Sequence, residues 1–255
     1  MARHSSSTPA AIASTAEAGR ERSPEEAEFE SNPVRFVEVV RDWAAGESAP
    51  TPAHEQWLRE LPVRRIRKPE TAREALWDLL SYPERGRALV WLDKMRLLEE
   101  LIPIWYGDAE LRALRLRAVE EVHLERWAEE LSKKALARLN AAMSERTDSR
   151  LSGWGLAALA TLLLESNGYT ERYGERLNEE LRELGATDAE RMKIMTAIIE
   201  YPFLRMAFKR DGDFAELKFS PVTVVAGLST LFADEKAATE LRARAGQLAD
   251  RLLTK

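Results

Sequence analysis

The chain contains no cysteine. That excludes disulfides, thiolate metal sites and a cysteine nucleophile. Histidine is scarce as well. His4, His54 and His123 are the only three, and they lie far apart in sequence. Imidazole metal sites draw on clusters of ligands, so none of the three marks a site by itself. There is no G-x-x-x-x-G-K-[ST] loop, no G-x-G-x-x-G turn after a strand and no H-E-x-x-H. Their absence removes the nucleotide-loop, dinucleotide-binding and zinc-protease readings. Ser152 and Ser166 have no base near them in sequence, so a serine triad has nothing to rest on. The longest apolar run, around residues 156–164, falls well short of the ~20 residues that a bilayer demands. No secretory apolar segment stands at the N-terminus.

What is present suits a charged globular chain. Hydrophobic residues make up 45% and charged residues 32% of the 255 positions, and the net charge is −5. The expectation is a cytoplasmic protein without a membrane segment and without a cofactor. The acidic balance argues against a general nucleic-acid binder, although a local basic patch is compatible with it. Residues 1–30 are rich in Ser, Ala, Glu and Arg with little periodicity, and read as a disordered tail. Their first sixteen positions hold no acid, a trait shared with transit peptides.

From Asn32 onward the pattern is helical. Asn32 followed by Pro33 is a cap with proline in the first turn, and Phe36, Val37, Val40, Trp43 and Ala44 follow at helical spacing. A second helix is expected from Thr51 or Pro52 with Trp57, Leu58 and Leu61 inward, and a third from Lys68 or Pro69. A fourth follows Pro83, running through Leu101 to Pro103. The stripe Leu111, Leu114, Ala118, Val122 and Trp127 predicts one long helix over 108–132, with His123 inside it. Residues 152–165 form a nearly pure apolar helix. Thr187 and Glu190 make a T-x-x-E capping box, Ser220 and Pro221 start another helix, and the last runs from about Asp234 to Leu253. Only Ala215–Phe219 could be extended, so the fold class is all-α.

Two charge patterns remain. The acidic pairs 99–100, 120–121, 129–130 and 179–180 are interleaved with Arg and Lys at helical spacing. They read as solvated faces whose ion pairs are worth ~0.2–0.5 kcal/mol each. The run Arg64, Arg65, Ile66, Arg67, Lys68 is the one concentrated positive patch. It is either a phosphate-contacting surface or an ordinary charged linker.

The stretch "SNPVRFVEVVRDWAA" at 31–45 resembles the start of the helical neck in bacterial tRNA nucleotidyltransferases, the CCA-adding and poly(A) polymerase family. "KPETAREALWDLL" and "RALVWLDKMRLLEELIPIW" look like the helices that follow there. "VEEVHLERWAEEL", "LAALATLLLESNG" and "IIEYPFL" then fall in the order of the metal-binding helices of an HD phosphohydrolase domain. The resemblance covers about residues 30–253. It implies two helical lobes, a neck-like one over 31–105 and a degenerate HD-like one over 106–253.

Position by position, the family's chemistry is mostly missing. In the base-reading motif only Arg35 remains; Ser31 and Asn32 replace the acids. In the HD-like part, His123 stands for the first metal histidine, Leu164 and Glu165 for the His-Asp pair, Tyr201 for a later histidine, and Asp250, or else Asp234, for the last acid. Leucine cannot coordinate a metal, so these positions are remnants that are not expected to bind one. The nucleotidyl-transfer head, with its Gly-Ser turn and D-x-D carboxylates, has no counterpart in these residues. The resemblance therefore implies a non-catalytic module that holds RNA, possibly tRNA, or a protein partner. Arg35, Arg64, Arg65, Arg67 and Lys68 would make the phosphate contacts. Two alternatives stay open: the body subunit of a split nucleotidyltransferase with a separate head, and a surviving metal phosphohydrolase.

Overall fold

Apolar side chains at three- and four-residue spacing, punctuated by proline and serine caps, produce an all-α, multi-helix protein. The structure, a computed structural model, describes residues 33–46, 69–94, 96, 98–102, 109–145, 149–164, 171–210 and 217–254. The expected tail over 1–30, the helix with Trp57, and the basic run at 64–68 lie outside these residues. The helices are α1 (Pro33–Ala45), α2 (Pro69–Leu80), α3 (Arg85–Lys94), α4 (Leu98–Leu101), α5 (Ala109–Glu120), α6 (Lys133–Ser144), α7 (Gly153–Leu163), α8 (Glu171–Glu183), α9 (Asp188–Lys209), α10 (Pro221–Ala233) and α11 (Thr239–Thr254). A short 3₁₀ turn, Leu124–Trp127, separates α5 from α6. Among the described residues there is no strand.

Two helices are apolar all round and form the centre. In α7 every residue except Trp154 is buried, and in α10 Val222 through Ser229 are buried without a break. A helix with no polar face must be enclosed on all sides. Accordingly α10 packs against α5, α7, α9, α6 and α11. The N-terminal helices join the same core. α1 lies on α2 and α3, α3 lies on α5, and α2 reaches α7. One hydrophobic cluster extends from Val37 to Ala249, so the segments on either side of residue 105 share it.

Local signals fix the helix starts. Ser132, Ser152 and Ser220 cap α6, α7 and α10 with their hydroxyls, and Pro221 opens α10 in the first turn. Thr187 and Glu190 form the complete capping box of α9. Helix α8 ends in a left-handed glycine, Gly185 at φ +83°; Ala186 N–H bonds Leu181 O and Gly185 N–H bonds Arg182 O. At the α6–α7 corner a Cβ on Gly153 would stand 2.7 Å from Met143 Cα, so only glycine allows that approach.

Three expectations are corrected. The fourth helix does not run unbroken to Leu101: Arg96 adopts φ 60° and divides α3 from α4. The last helix begins at Thr239 rather than Asp234, because the residues between them form a turn with Ala237 N–H on Asp234 O. The helix over 108–132 stops at Glu120, and His123 is extended at φ −153°, ψ 157°. The break has a tertiary cause. Arg85 donates to the carbonyls of Val122 and Tyr82, drawing off the end of α5 with a cation where the helix dipole favours one. Trp127, fully buried, meets Phe232 of α10 edge-on at 5.4 Å and 85°. It lies five residues past Val122, off the helical repeat, and reaches that place only through the turn. Burial pulls the Arg85 guanidinium down to about 10, against the upward pull of Glu84; it remains protonated near neutrality.

Candidate functional site

Between α5, α7, α9, α10 and the start of α11 lies a cavity of about 290 Å³. Its floor is apolar. Leu111 and Leu114 come from α5, Leu164 ends α7, Phe208 comes from α9, and Gly227 and Leu231 come from α10. Small residues of α10 leave the space. A Cβ on Gly227 would stand 2.7 Å from a methyl of Leu204, so the two helices approach closely there.

Polar groups converge on this floor. The Tyr201 side chain is buried, with Thr230 beside it. Burial pushes the Tyr201 hydroxyl up, against the pull of Arg205, Thr230 and Arg115, so it stays a neutral donor. Arg115 is only 3% exposed, while Arg205, Lys209 and Lys236 are exposed around the opening. Lys236 pairs with Glu110 at the rim, and that hydrogen bond raises its pKa. The sole acid lining the cavity is Asp234. Its carboxylate accepts the Lys236 backbone N–H at 3.0 Å, a local turn that leaves the basic excess in place. With Glu110 counted as the rim partner of Lys236, four cations stand against two anions, so the cavity is basic in a chain of net charge −5.

The remnant metal positions do not come together as a set. Leu164 and Tyr201 both line the cavity, and Asp234 joins them. Asp250 is elsewhere: on α11 it accepts the Ser132 backbone N–H at 2.6 Å. His123 lies in a separate open hollow with Glu84, Arg87, Glu120 and Glu125, and its Nδ1 stands 3.2 Å from Glu125. Glu165 falls outside the described residues. Among the described residues no three His, Cys, Asp or Glu side chains are placed to hold a metal ion.

The expected phosphate contacts are only partly located. Arg35 lies in the first turn of α1, and Arg64, Arg65, Arg67 and Lys68 are outside the described residues. Sequence reasoning missed Arg115, Arg205, Lys209 and Lys236, which look like ordinary helix-surface charge. The one available signal was Arg115 itself, embedded among Leu111, Leu114, Leu116, Ala118 and Val119 on α5. Among the described residues no helix is long and apolar enough to cross a membrane. No protein-family model matches the chain, and no curated protein matches it.

Proposed function

We propose that this protein is a non-catalytic helical binding module that holds RNA, with a backbone phosphate seated in the basic cavity. The supporting observation is the lining itself. Arg115, Arg205, Lys209 and Lys236 surround a half-enclosed space, and a leucine occupies the position where the resemblance calls for a metal ligand. Arginine and lysine neutralise phosphates, and a partly desolvated arginine such as Arg115 does so more strongly than an exposed one. The volume of about 290 Å³ is just below the roughly 300–1,000 Å³ typical of ligand pockets, which suits a group as small as a phosphate. The resemblance to the body of tRNA nucleotidyltransferases points to the same class of partner and extends the contact surface to Arg35 and the 64–68 run.

The test is fluorescence anisotropy with a labelled single-stranded RNA at low and moderate salt. Binding is expected to weaken with salt, log K falling by ~0.7 per log unit of salt for each phosphate neutralised. Arg205→Glu with Lys209→Glu, both on exposed positions of α9, is expected to weaken binding at least about tenfold at low salt and flatten the salt slope. Replacing Arg64, Arg65, Arg67 and Lys68 by alanine is expected to weaken it further. Binding that ignores salt and both sets of changes ends the proposal. An acidic peptide that competes while RNA does not bind would make the site one for a protein partner.

A second prediction concerns metal. Gently purified protein is expected to carry less than one equivalent of Mn, Fe, Ni or Zn by elemental analysis. A full equivalent that falls on changing Asp234 or His123 to alanine would restore the phosphohydrolase reading.

A further inference from the structure

Helix α9 has two apolar faces. Ile194, Ile198, Leu204 and Phe208 are buried against the core. On the opposite side Met192, Ile199, Phe203 and Met206 are exposed, with Met195 half-buried among them. Met192 is 70% exposed and Phe203 55%, so the core does not account for them. Large apolar side chains scattered singly on a surface need no explanation, but these are not scattered. They follow one another at spacings of three, four, four and three residues. That averages about 3.5 residues per step, the repeat of a seam between two helices. At 1.5 Å per residue the stripe is about 21 Å long.

The spacing along the stripe reads the same from either end. Met195 and Phe203 stand four residues on either side of Ile199, and Met192 and Met206 stand seven on either side. The ends carry opposite charge. Asp188 opens the helix eleven residues before Ile199, and Arg210, the residue that caps its end with its N–H on Met206 O, lies eleven after; eleven residues is close to three helical turns, so the two backbone positions fall on the line of the stripe. Asp188 is 94% exposed at its side chain and makes a surface i,i+3 pair with Arg191, a contact weak enough in water for an incoming cation to share. A symmetric stripe with unlike ends is complementary to itself only when a second copy runs antiparallel. Each Asp188 then faces the other Arg210, Met192 faces Met206, and Met195 faces Phe203. Parallel pairing sets like charge against like. The other equidistant pair of cations, Lys193 and Arg205, sits about 120° round the helix from the stripe and away from the seam.

We infer that the exposed face of α9 is a self-association surface, on which two copies of this chain pair about a two-fold axis passing beside Ile199. Such an isologous contact is the commonest way to close a homodimer. A seam of one helix per partner is smaller than the roughly 800 Å² a side of a standard interface, so the dimer forms in the micromolar range or above.

Sedimentation over a concentration series into the high micromolar range tests this. The weight-average mass is expected to rise from 28.9 kDa toward twice that value. Phe203→Glu and Ile199→Glu, both at exposed positions, are each expected to raise the dissociation constant at least tenfold with unchanged far-UV circular dichroism. The chain's lack of cysteine makes cross-linking decisive. With diamide as oxidant, Ile199→Cys is expected to give a disulfide-linked dimer. Met192→Cys alone is expected to give none, and Met192→Cys mixed with Met206→Cys is expected to give one. A mass of 28.9 kDa at every concentration overturns the inference. So does a dimer indifferent to Phe203→Glu, or one cross-linked by Met192→Cys alone. A monomer that binds phospholipid vesicles through Phe203, or one that dimerises only when residues 1–30 are removed, assigns the face to lipid or to that segment and likewise overturns it.

Discussion

Glu190→Ala is expected to lower unfolding stability by about 3 kcal/mol in urea titrations followed by circular dichroism. The Glu190 carboxylate is inaccessible to solvent, and its two oxygens serve two elements at once. One accepts Thr187 N–H at 2.8 Å and closes the capping box of α9. The other accepts the Ser149 hydroxyl at 2.9 Å, Arg150 N–H at 2.7 Å and Leu151 N–H at 3.3 Å. The loop leading into α7 is thereby pinned to the start of α9. Alanine would strand the three backbone donors, each worth about 1–3 kcal/mol if left unpaired and buried, while the Ser149 hydroxyl keeps Leu151 O at 2.7 Å; partial access to water brings the sum down. Glutamine keeps one acceptor oxygen but turns an amide donor toward donors, and is expected to cost less than alanine.

The same carboxylate gives an acid dependence of known sign. Burial pushes its pKa up, but the hydrogen bonds from Thr187, Ser149, Leu151 and Arg150 outweigh burial and hold it below the ordinary carboxylate value. A group depressed in the folded state contributes its full stabilisation above its unfolded pKa, roughly 4.3 for glutamate, and loses it as pH falls through the folded value. The wild type is expected to lose stability below about pH 4 more steeply than Glu190→Gln, the gap between them narrowing with acid. Parallel curves for the two proteins would remove Glu190 from this role.

Trp77→Ala is expected to cost about 4 kcal/mol, the usual range for truncating a buried aromatic. Trp77 is 3% exposed on α2, and its indole N–H donates to the carbonyl of Leu184 in the turn that ends α8. That bond joins residues 107 apart in sequence and links the N-terminal helices to the rest. Trp77→Phe keeps most of the apolar contact and strands the carbonyl, and about 1–2 kcal/mol is expected. Because the core is shared across residue 105, Trp77→Ala is expected to shift one cooperative transition. Two separated transitions in near- and far-UV signals would instead make the neck-like and HD-like segments independent lobes.

The places where sequence reasoning succeeded and failed divide along physical lines. Thr187 with Glu190, Ser220 with Pro221, and Pro69 announce helix starts because a cap acts within four residues of itself. The apolar helix at 153–163 is buried as its composition demands. The end of α5 could not be read this way. Residues 121–132 are compatible with helix locally, and the break is imposed by Arg85 and Phe232, both remote in sequence. His123 was misplaced for the same reason. At the cavity, Leu164 and Tyr201 share a wall, and the cations around them come from α5, α9 and the turn before α11. No local pattern announces charges that only the fold collects. The second face of α9 was hidden differently. Met192, Ile199, Phe203 and Met206 strengthen the same apolar count as the core residues, and only burial separates the two sets.

The cavity's walls belong to five helices that meet nowhere else in the chain's linear order. An unfolded polypeptide therefore offers no fragment of that surface to a guest. Whatever settles there is a guest of the native state alone, and it adds to the cohesion of the bundle in proportion to the logarithm of its concentration over its dissociation constant. Occupancy and melting are thus two readings of one equilibrium, and the apparent sturdiness of this protein depends on what shares its solution.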